Sequence, residues 1–187
     1  YMLLLVGLGN PTPNSQNNRH NIGFKVVDAI NQKFGLSKQK PKFKGLLTTG
    51  NINDKKIYVI KPLTFMNSSG ICIRELLEYF KIESENVIVF HDDLDVEFGK
   101  IKTKFGGSSA GHNGIASIDK FIGKDYSRVR IGIGKPQNKM SVSDFVLNDF
   151  NDDEQELLKK ITNNIIESLA ILIDKKLDLF SSTVNNN

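Results

Sequence analysis

The sequence predicts one α/β domain, and three observations carry that prediction. Short apolar segments at residues 2–6 and 86–90 read as strands, the second (Asn-Val-Ile-Val-Phe) buried on both faces because its apolar residues run on without alternation. Between and after them lie segments with apolar residues at helical spacing. The chain of 187 residues also has the size of a single core-forming domain, and its 39% hydrophobic and 25% charged residues are ordinary globular proportions.

The elements follow in order. Residues 2–8 make an apolar first strand, broken by Gly7-Leu8-Gly9-Asn10-Pro11. From Asn21 a helix is predicted by Ile22, Val26, Ile30 and Phe34 at four-residue spacing, closed by Gly35. Residues 38–44 read as a basic connector. Strands at 46–52 and 56–60 are joined by Asn53-Asp54, a pair suited to a hairpin turn. A helix capped by Ser68 or Ser69 then runs to about Phe80. After the strand at 86–90 come a strand at 98–105, a glycine-rich loop at 106–111, a helix at 112–122 and a strand at 128–133. Residues 152–178 read as one amphipathic C-terminal helix, with Leu157, Ile161, Ile165, Leu169 and Leu172 on its stripe. The domain is taken as 2–184, with a frayed polar tail at 185–187; Met2 reads as the natural start and Tyr1 as a residue added ahead of it.

Several classes are disfavoured by composition. No apolar run reaches the roughly 20 residues of a membrane span, and the first strand meets a glycine turn where a signal peptide would have a cleavage site. A single cysteine, Cys72, forms no internal disulfide and fits a reducing cytoplasm as a small buried residue. The net charge of +4 is compatible with a polyanionic partner. Its distribution is more telling: Lys100, Lys102 and Lys104 alternate along a strand, which sends them to one face as a track for phosphates.

Residues with chemical potential gather at strand ends and in the loops after them. Gly7-Leu8-Gly9 resembles a dinucleotide loop, but Thr12 stands at the third glycine position and Pro11 and Pro13 block the helix start, which weakens the reading as a nucleotide-cofactor oxidoreductase. A tight turn presenting Asn10 is simpler. His20, in Arg19-His20-Asn21, lies in a polar context. Phe65-Met66-Asn67 forms an apolar turn ending in an amide. His91-Asp92-Asp93-Leu94-Asp95 fits neither a calcium loop nor a zinc pattern, whereas a carboxylate there could hold an imidazole in one tautomer. Residues 106–114 supply a glycine-rich approach to a helix start at His112-Asn113. No serine or cysteine occupies a nucleophile elbow. One histidine with a possible aspartate partner, and amides at Asn10, Asn21, Asn67 and Asn113, suggest hydrolysis by activated water, with the amides orienting a substrate that has carbonyls and hydroxyls.

These motifs, in their order and spacing, resemble bacterial peptidyl-tRNA hydrolases: Gly7–Pro11, Arg19–Gly23, Lys61-Pro62 with Thr64–Gly70, His91–Asp95, Gly106–Ser108 with Gly111–Gly114, and Arg128–Gly134. The resemblance implies a monomeric α/β fold on a twisted mixed sheet flanked by helices. It implies hydrolysis of the ester joining a peptide to the 3′ ribose of tRNA, with no metal or other cofactor and no obligate protein partner. By the same resemblance His20 would be the general base, Asp92 its orienting partner, and Asn10 the group that tells a peptidyl amide from a free amine. Asn67 and Asn113 would position substrate and water, and Phe65 and Met66 would line the pocket. Lys102, Lys104 and Arg130 match positions for acceptor-stem phosphates. Ser15 stands where the family usually has a tyrosine, Ala110 replaces a usual glycine, and Glu97 a common proline, which would add charge near the site. The competing expectation is an RNA-binding protein without catalysis on the same fold.

Overall fold

The computed structural model describes residues 2–187; Tyr1, the expected added residue, lies outside them. Seven strands form one sheet in the order β2-β3-β4-β1-β5-β7-β6: β1 (Met2–Gly7), β2 (Lys40–Lys42), β3 (Gly45–Ile52), β4 (Lys55–Pro62), β5 (Val87–Asp93), β6 (Ile101–Phe105) and β7 (Ser127–Gly132). The four central strands are parallel, while β2, β3 and β6 pair antiparallel at the flanks, so the sheet is mixed as expected. Seven helices cover it: α1 (Ile22–Lys33), α2 (Ser69–Phe80), α3 (Asn113–Ile122), α4 (Val142–Val146), α5 (Asp152–Glu167), α6 (Leu169–Ile173) and α7 (Leu177–Asn185).

β1 is buried on both sides. Leu3 and Leu5 enter one core with Val26 and Ile30 of α1, Ile165 of α5 and Phe180 of α7, while Leu4 and Val6 enter the other with Ile73 of α2 and Ile118 of α3. Continuous apolar runs follow from this double burial. The connection leaving β1 leads toward β4, and the one leaving β5 leads the opposite way, toward β7 and β6. Adjacent parallel strands with diverging connections open a crevice beyond their C-terminal ends. Two glycines close that end tightly. A Cβ on Gly7 would lie 2.4 Å from the Gly23 carbonyl oxygen, and one on Gly23 would lie 2.3 Å from that of Phe90. The start of α1 therefore presses directly on the ends of β1 and β5.

The hairpin at Asn53-Asp54 forms as expected, both residues left-handed (φ 50° and 64°), as a primed turn requires. Three expectations are corrected. The basic connector contains the edge strand β2, whose Lys-Pro-Lys sequence carries no apolar alternation. Proline and lysine are tolerated there because an edge strand leaves one side of its backbone unpaired. The single C-terminal helix is three helices, interrupted at Ser168 and at left-handed Lys175 (φ 61°). Its inward stripe runs through Leu158, 4% exposed, and not Leu157, 38% exposed. Asn185 is also not frayed: it ends α7, and its side-chain amide pairs with both backbone groups of Ile101 on β6, accepting from the N–H at 2.9 Å and donating to the carbonyl at 2.8 Å. Among the described residues no helix is long and apolar enough to cross a membrane.

Candidate active site

A cleft of about 550 Å³ lies beyond the ends of β1 and β5, where the crevice was expected. It brings together Asn10, His20, Phe65, Met66, Asn67, Asp92 and Asn113, all singled out from the sequence.

His20 sits in a short 3₁₀ turn (Arg19–Asn21) that leads straight into α1. Its Nδ1 lies 2.8 Å from Oδ2 and 3.0 Å from Oδ1 of Asp92 near the end of β5. Asp92 is 2% exposed, so Nδ1 carries the proton and donates it to the carboxylate. No hydrogen bond among the described residues engages Nε2, which is thereby free to act as an acceptor toward the cleft, the atom a general base needs.

Asp92 has a second imidazole partner that the sequence reading left out. His112 Nε2 lies 2.8 Å from Asp92 Oδ1. His112 is also the N-cap of α3, its Nδ1 accepting from the backbone N–H of Gly114 (3.1 Å) and Ile115 (3.2 Å). A nitrogen that accepts two N–H bonds carries no proton, so the helix cap fixes the Nε2–H tautomer and aims it at Asp92. The signal was present in the sequence, a histidine opening a helix after a glycine loop, but only the fold shows what it faces. Burial pushes the Asp92 carboxyl toward neutrality, but the charges and hydrogen bonds of His112 and then His20 outweigh this and hold its pKa well below the usual carboxylate range.

One possible ligand atom from each of His20, Asp92 and His112 lies within 4.8 Å of the others, close enough to hold a metal ion. The donor set argues against one. Ligation through His112 Nε2 would require either an imidazolate or loss of the helix cap, and Asp92 already accepts from both rings.

Asn10 is held by Asn21, whose Oδ1 accepts from the Asn10 backbone N–H (2.8 Å) and whose Nδ2 donates to its carbonyl (2.9 Å). The Asn10 Oδ1 accepts from the Met66 N–H at 2.9 Å, so its amide presents Nδ2, a pure donor, to the cleft. Phe65 takes φ 62°, ψ 160°, a conformation strained for a bulky residue, and stands 53% exposed on the cleft rim. The side chains of Asn67 and Asn113 make no hydrogen bond among the described residues and line the cleft.

The glycine-rich loop is pinned at its root by Arg128. Its buried guanidinium donates to the carbonyls of Ser108 (2.8 Å) and Gly107 (3.2 Å) and to Asp119 (3.0 Å). Ala110 adopts the left-handed φ of 47° that a glycine would take without strain. Lys102 and Arg130 face each other across β6 and β7, with Lys104 next in line, outside the cleft lining. Arg130 Nε donates to Asp93 at 2.8 Å. Lys100 departs from the expected row: it precedes β6 and donates to the Asn185 carbonyl at 3.3 Å. Glu97 is exposed and does not line the cleft, whereas Asp93, Leu94, Asp95, the α4 residues Val142, Ser143 and Val146, and Leu147 just after them do. Ser15 is 8% exposed, 2.5 Å from the Thr12 hydroxyl, and offers no ring to a ligand.

Beside this group His91 is buried, its Nδ1–H donating to the Asp92 carbonyl at 2.7 Å. Burial first, and then the charge of His112, depress its pKa from 6.5 to about 3. In the unfolded chain the ring takes up a proton as pH falls below 6.5, while the folded ring resists until about 3, so stability is full above 6.5 and lost on acidification. Over the pH interval from about 6.5 to 5 the loss is on the order of 2 kcal/mol. Urea unfolding of His91→Leu at pH 7 and 5 should show a correspondingly flatter dependence than wild type; equal slopes would mean that His91 does not titrate this way.

Sequence and structure comparisons agree with one another. The profile of a family described as "Peptidyl-tRNA hydrolase" matches residues 4–187. A "Peptidyl-tRNA hydrolase" from Pelagibacter ubique (strain HTCC1062) is 80% identical over 185 residues, 99% of this chain and 100% of that protein. One from Bartonella henselae is 45% identical, covering 98% and 95%. Among solved structures, the peptidyl-tRNA hydrolase from Acinetobacter baumannii superposes with a TM-score of 0.91 at 34% identity, covering 98% of this chain and 94% of that one.

Proposed function

This chain belongs to the peptidyl-tRNA hydrolase family, and on that premise we propose that His20, oriented by Asp92, activates the water that cleaves the ester between a peptide and the 3′ ribose of tRNA. The observation that carries the assignment is the buried His20–Asp92 bond of 2.8 Å with Nε2 open to the cleft. Nε2 takes a proton from water as the oxygen attacks the ester carbonyl, and Asp92 stabilises the imidazolium. When the tetrahedral intermediate collapses, the ribose 3′ oxygen leaves and receives that proton. The amides of Asn67 and Asn113 are free to donate to the developing oxyanion, since the first N–H groups of α3 are taken by His112.

Asn10 Nδ2 suits the carbonyl of a peptide or N-acyl group, an acceptor that a free aminoacyl ester lacks. A donor-only group also disfavours an ammonium at the same place. Phe65 and Met66 form the apolar floor and rim for the acyl part. Lys102, Lys104 and the outer nitrogens of Arg130 would receive acceptor-stem phosphates running away from the cleft. The functional unit spans residues 2–184 and acts as a monomer in the cytoplasm without an obligate protein partner.

Release of N-acetyl-amino acid from N-acetyl-aminoacyl-tRNA, in the presence of EDTA, tests the reading. Wild type should cleave this ester at undiminished rate with the chelator and leave unblocked aminoacyl-tRNA largely intact. Activity abolished by EDTA would overturn the metal-free mechanism. Binding of tRNA without cleavage would instead favour the RNA-binding alternative.

A further inference from the structure

Arg19 immediately precedes His20, yet its side chain lines a second cavity, of about 570 Å³, and not the cleft. It is 11% exposed, and both terminal nitrogens of its guanidinium are committed to one region of the chain, while Nε is buried without a partner. Nη1 donates to the carbonyls of Asn148 (3.2 Å) and Asp149 (3.0 Å), and Nη2 to both carboxylate oxygens of Glu154 (2.9 and 3.3 Å). The charged plane also lies 4.4 Å from the ring centre of Phe145 and 5.3 Å from that of Phe150. Glu154 is already engaged in the capping box of α5, where its carboxylate accepts from the Asn151 N–H at 3.0 Å.

We infer that Arg19 is a positioning residue for substrate binding, holding α4 as one wall of the cleft in a shape that is set before tRNA arrives. The inference rests on the reading of the cleft as the esterase site. α4 is a helix of five residues, far too short to persist unaided. Val142 and Leu147, which line the cleft, are 51% and 47% exposed and contribute little anchorage. Val146 reaches the core, and Phe145 lies under the Arg19 guanidinium. The residues leading into α4, Lys139–Ser141, are exposed. The planar fork thus ties together the turn carrying His20, the aromatic underside of α4, and the start of α5. An ammonium cannot make the same set of contacts from one point.

A wall that is ordered beforehand adds nothing to the entropy lost on binding; a loosened one must be ordered by the substrate. The interaction is made equally in ground and transition states, so its loss should appear in KM. Steady-state cleavage of N-acetyl-aminoacyl-tRNA by Arg19→Gln and Arg19→Lys should show KM raised about tenfold, kcat within about threefold, and an unchanged pH profile of kcat. Limited proteolysis should cut both variants faster between residues 135 and 150. Glu154→Gln, which keeps an oxygen for the capping box, should move KM the same way by a smaller factor, and carries the test if Arg19→Gln does not fold. An unchanged KM in a folded variant, or a fall in kcat alone, would overturn the inference; the latter would place Arg19 in the alignment of His20. Wild-type protein that leaves the ester intact would bring down the esterase reading, and this inference with it.

Discussion

His20→Ala is expected to lower kcat/KM for N-acetyl-aminoacyl-tRNA by on the order of 10² or more, the usual worth of a positioned general base. The loss should lie in kcat, because nothing in the geometry makes His20 a tRNA-binding group: the proposed phosphate contacts Lys102, Lys104 and Arg130 lie outside the cleft. Binding of tRNA to the variant, followed by filter retention or fluorescence, should match wild type. The ring contributes some packing against His112, with centroids 4.9 Å apart, so thermal unfolding must be compared as well. A folded variant that binds tRNA and keeps more than a tenth of wild-type kcat would remove His20 from the reaction.

Asp92→Asn is expected to lower kcat by on the order of 10² or more, up to but not beyond the loss in His20→Ala, because Asp92 acts only through that ring. The reason is a conflict between two fixed tautomers. His112 must present Nε2–H, because its Nδ1 is occupied by the N–H groups of Gly114 and Ile115. The introduced amide would therefore turn its oxygen to His112 and its NH₂ to His20 Nδ1. That forces His20 into the Nε2–H form, which faces the cleft as a donor and cannot accept a proton from water. Nitrogen chemical shifts of the His20 ring should report the change of tautomer directly. If activity falls without it, orientation and not tautomer control is the role of Asp92. Releasing the conflict with His112→Leu in the same chain should restore part of the loss.

Much of this site was legible in the sequence, for reasons that differ by residue. Asn10, His20, Phe65, Asp92 and Asn113 stand in turns and strand ends, where polar or strained residues interrupt an otherwise apolar pattern, and such interruptions are visible without a structure. The pairing of His20 with Asp92 across 72 positions depends on β1 and β5 being neighbours, which local periodicity does not encode. The role of His112 was hidden for a related reason: a helix cap and a carboxylate donor look alike in sequence, and this ring is both. α4 and β2 escaped because each is short and held by tertiary contacts, Phe145 under Arg19 and Lys40–Lys42 beside β3. The divided C-terminal helix followed the expected periodicity closely enough that its breaks at Ser168 and Lys175 left no apolar gap to mark them.

The amide of Asn185, two residues from the last, performs on β6 what a neighbouring strand would do, engaging both outward backbone groups of Ile101 at once. β6 is a terminal strand of the sheet, the kind of surface on which one molecule can template the next. The end of α7 thus plugs that edge with a side chain, where a paired strand would otherwise be needed. Loss of that one amide would leave both groups of Ile101 open to a strand from a second molecule, so monodispersity of the protein depends on a side chain far from the cleft.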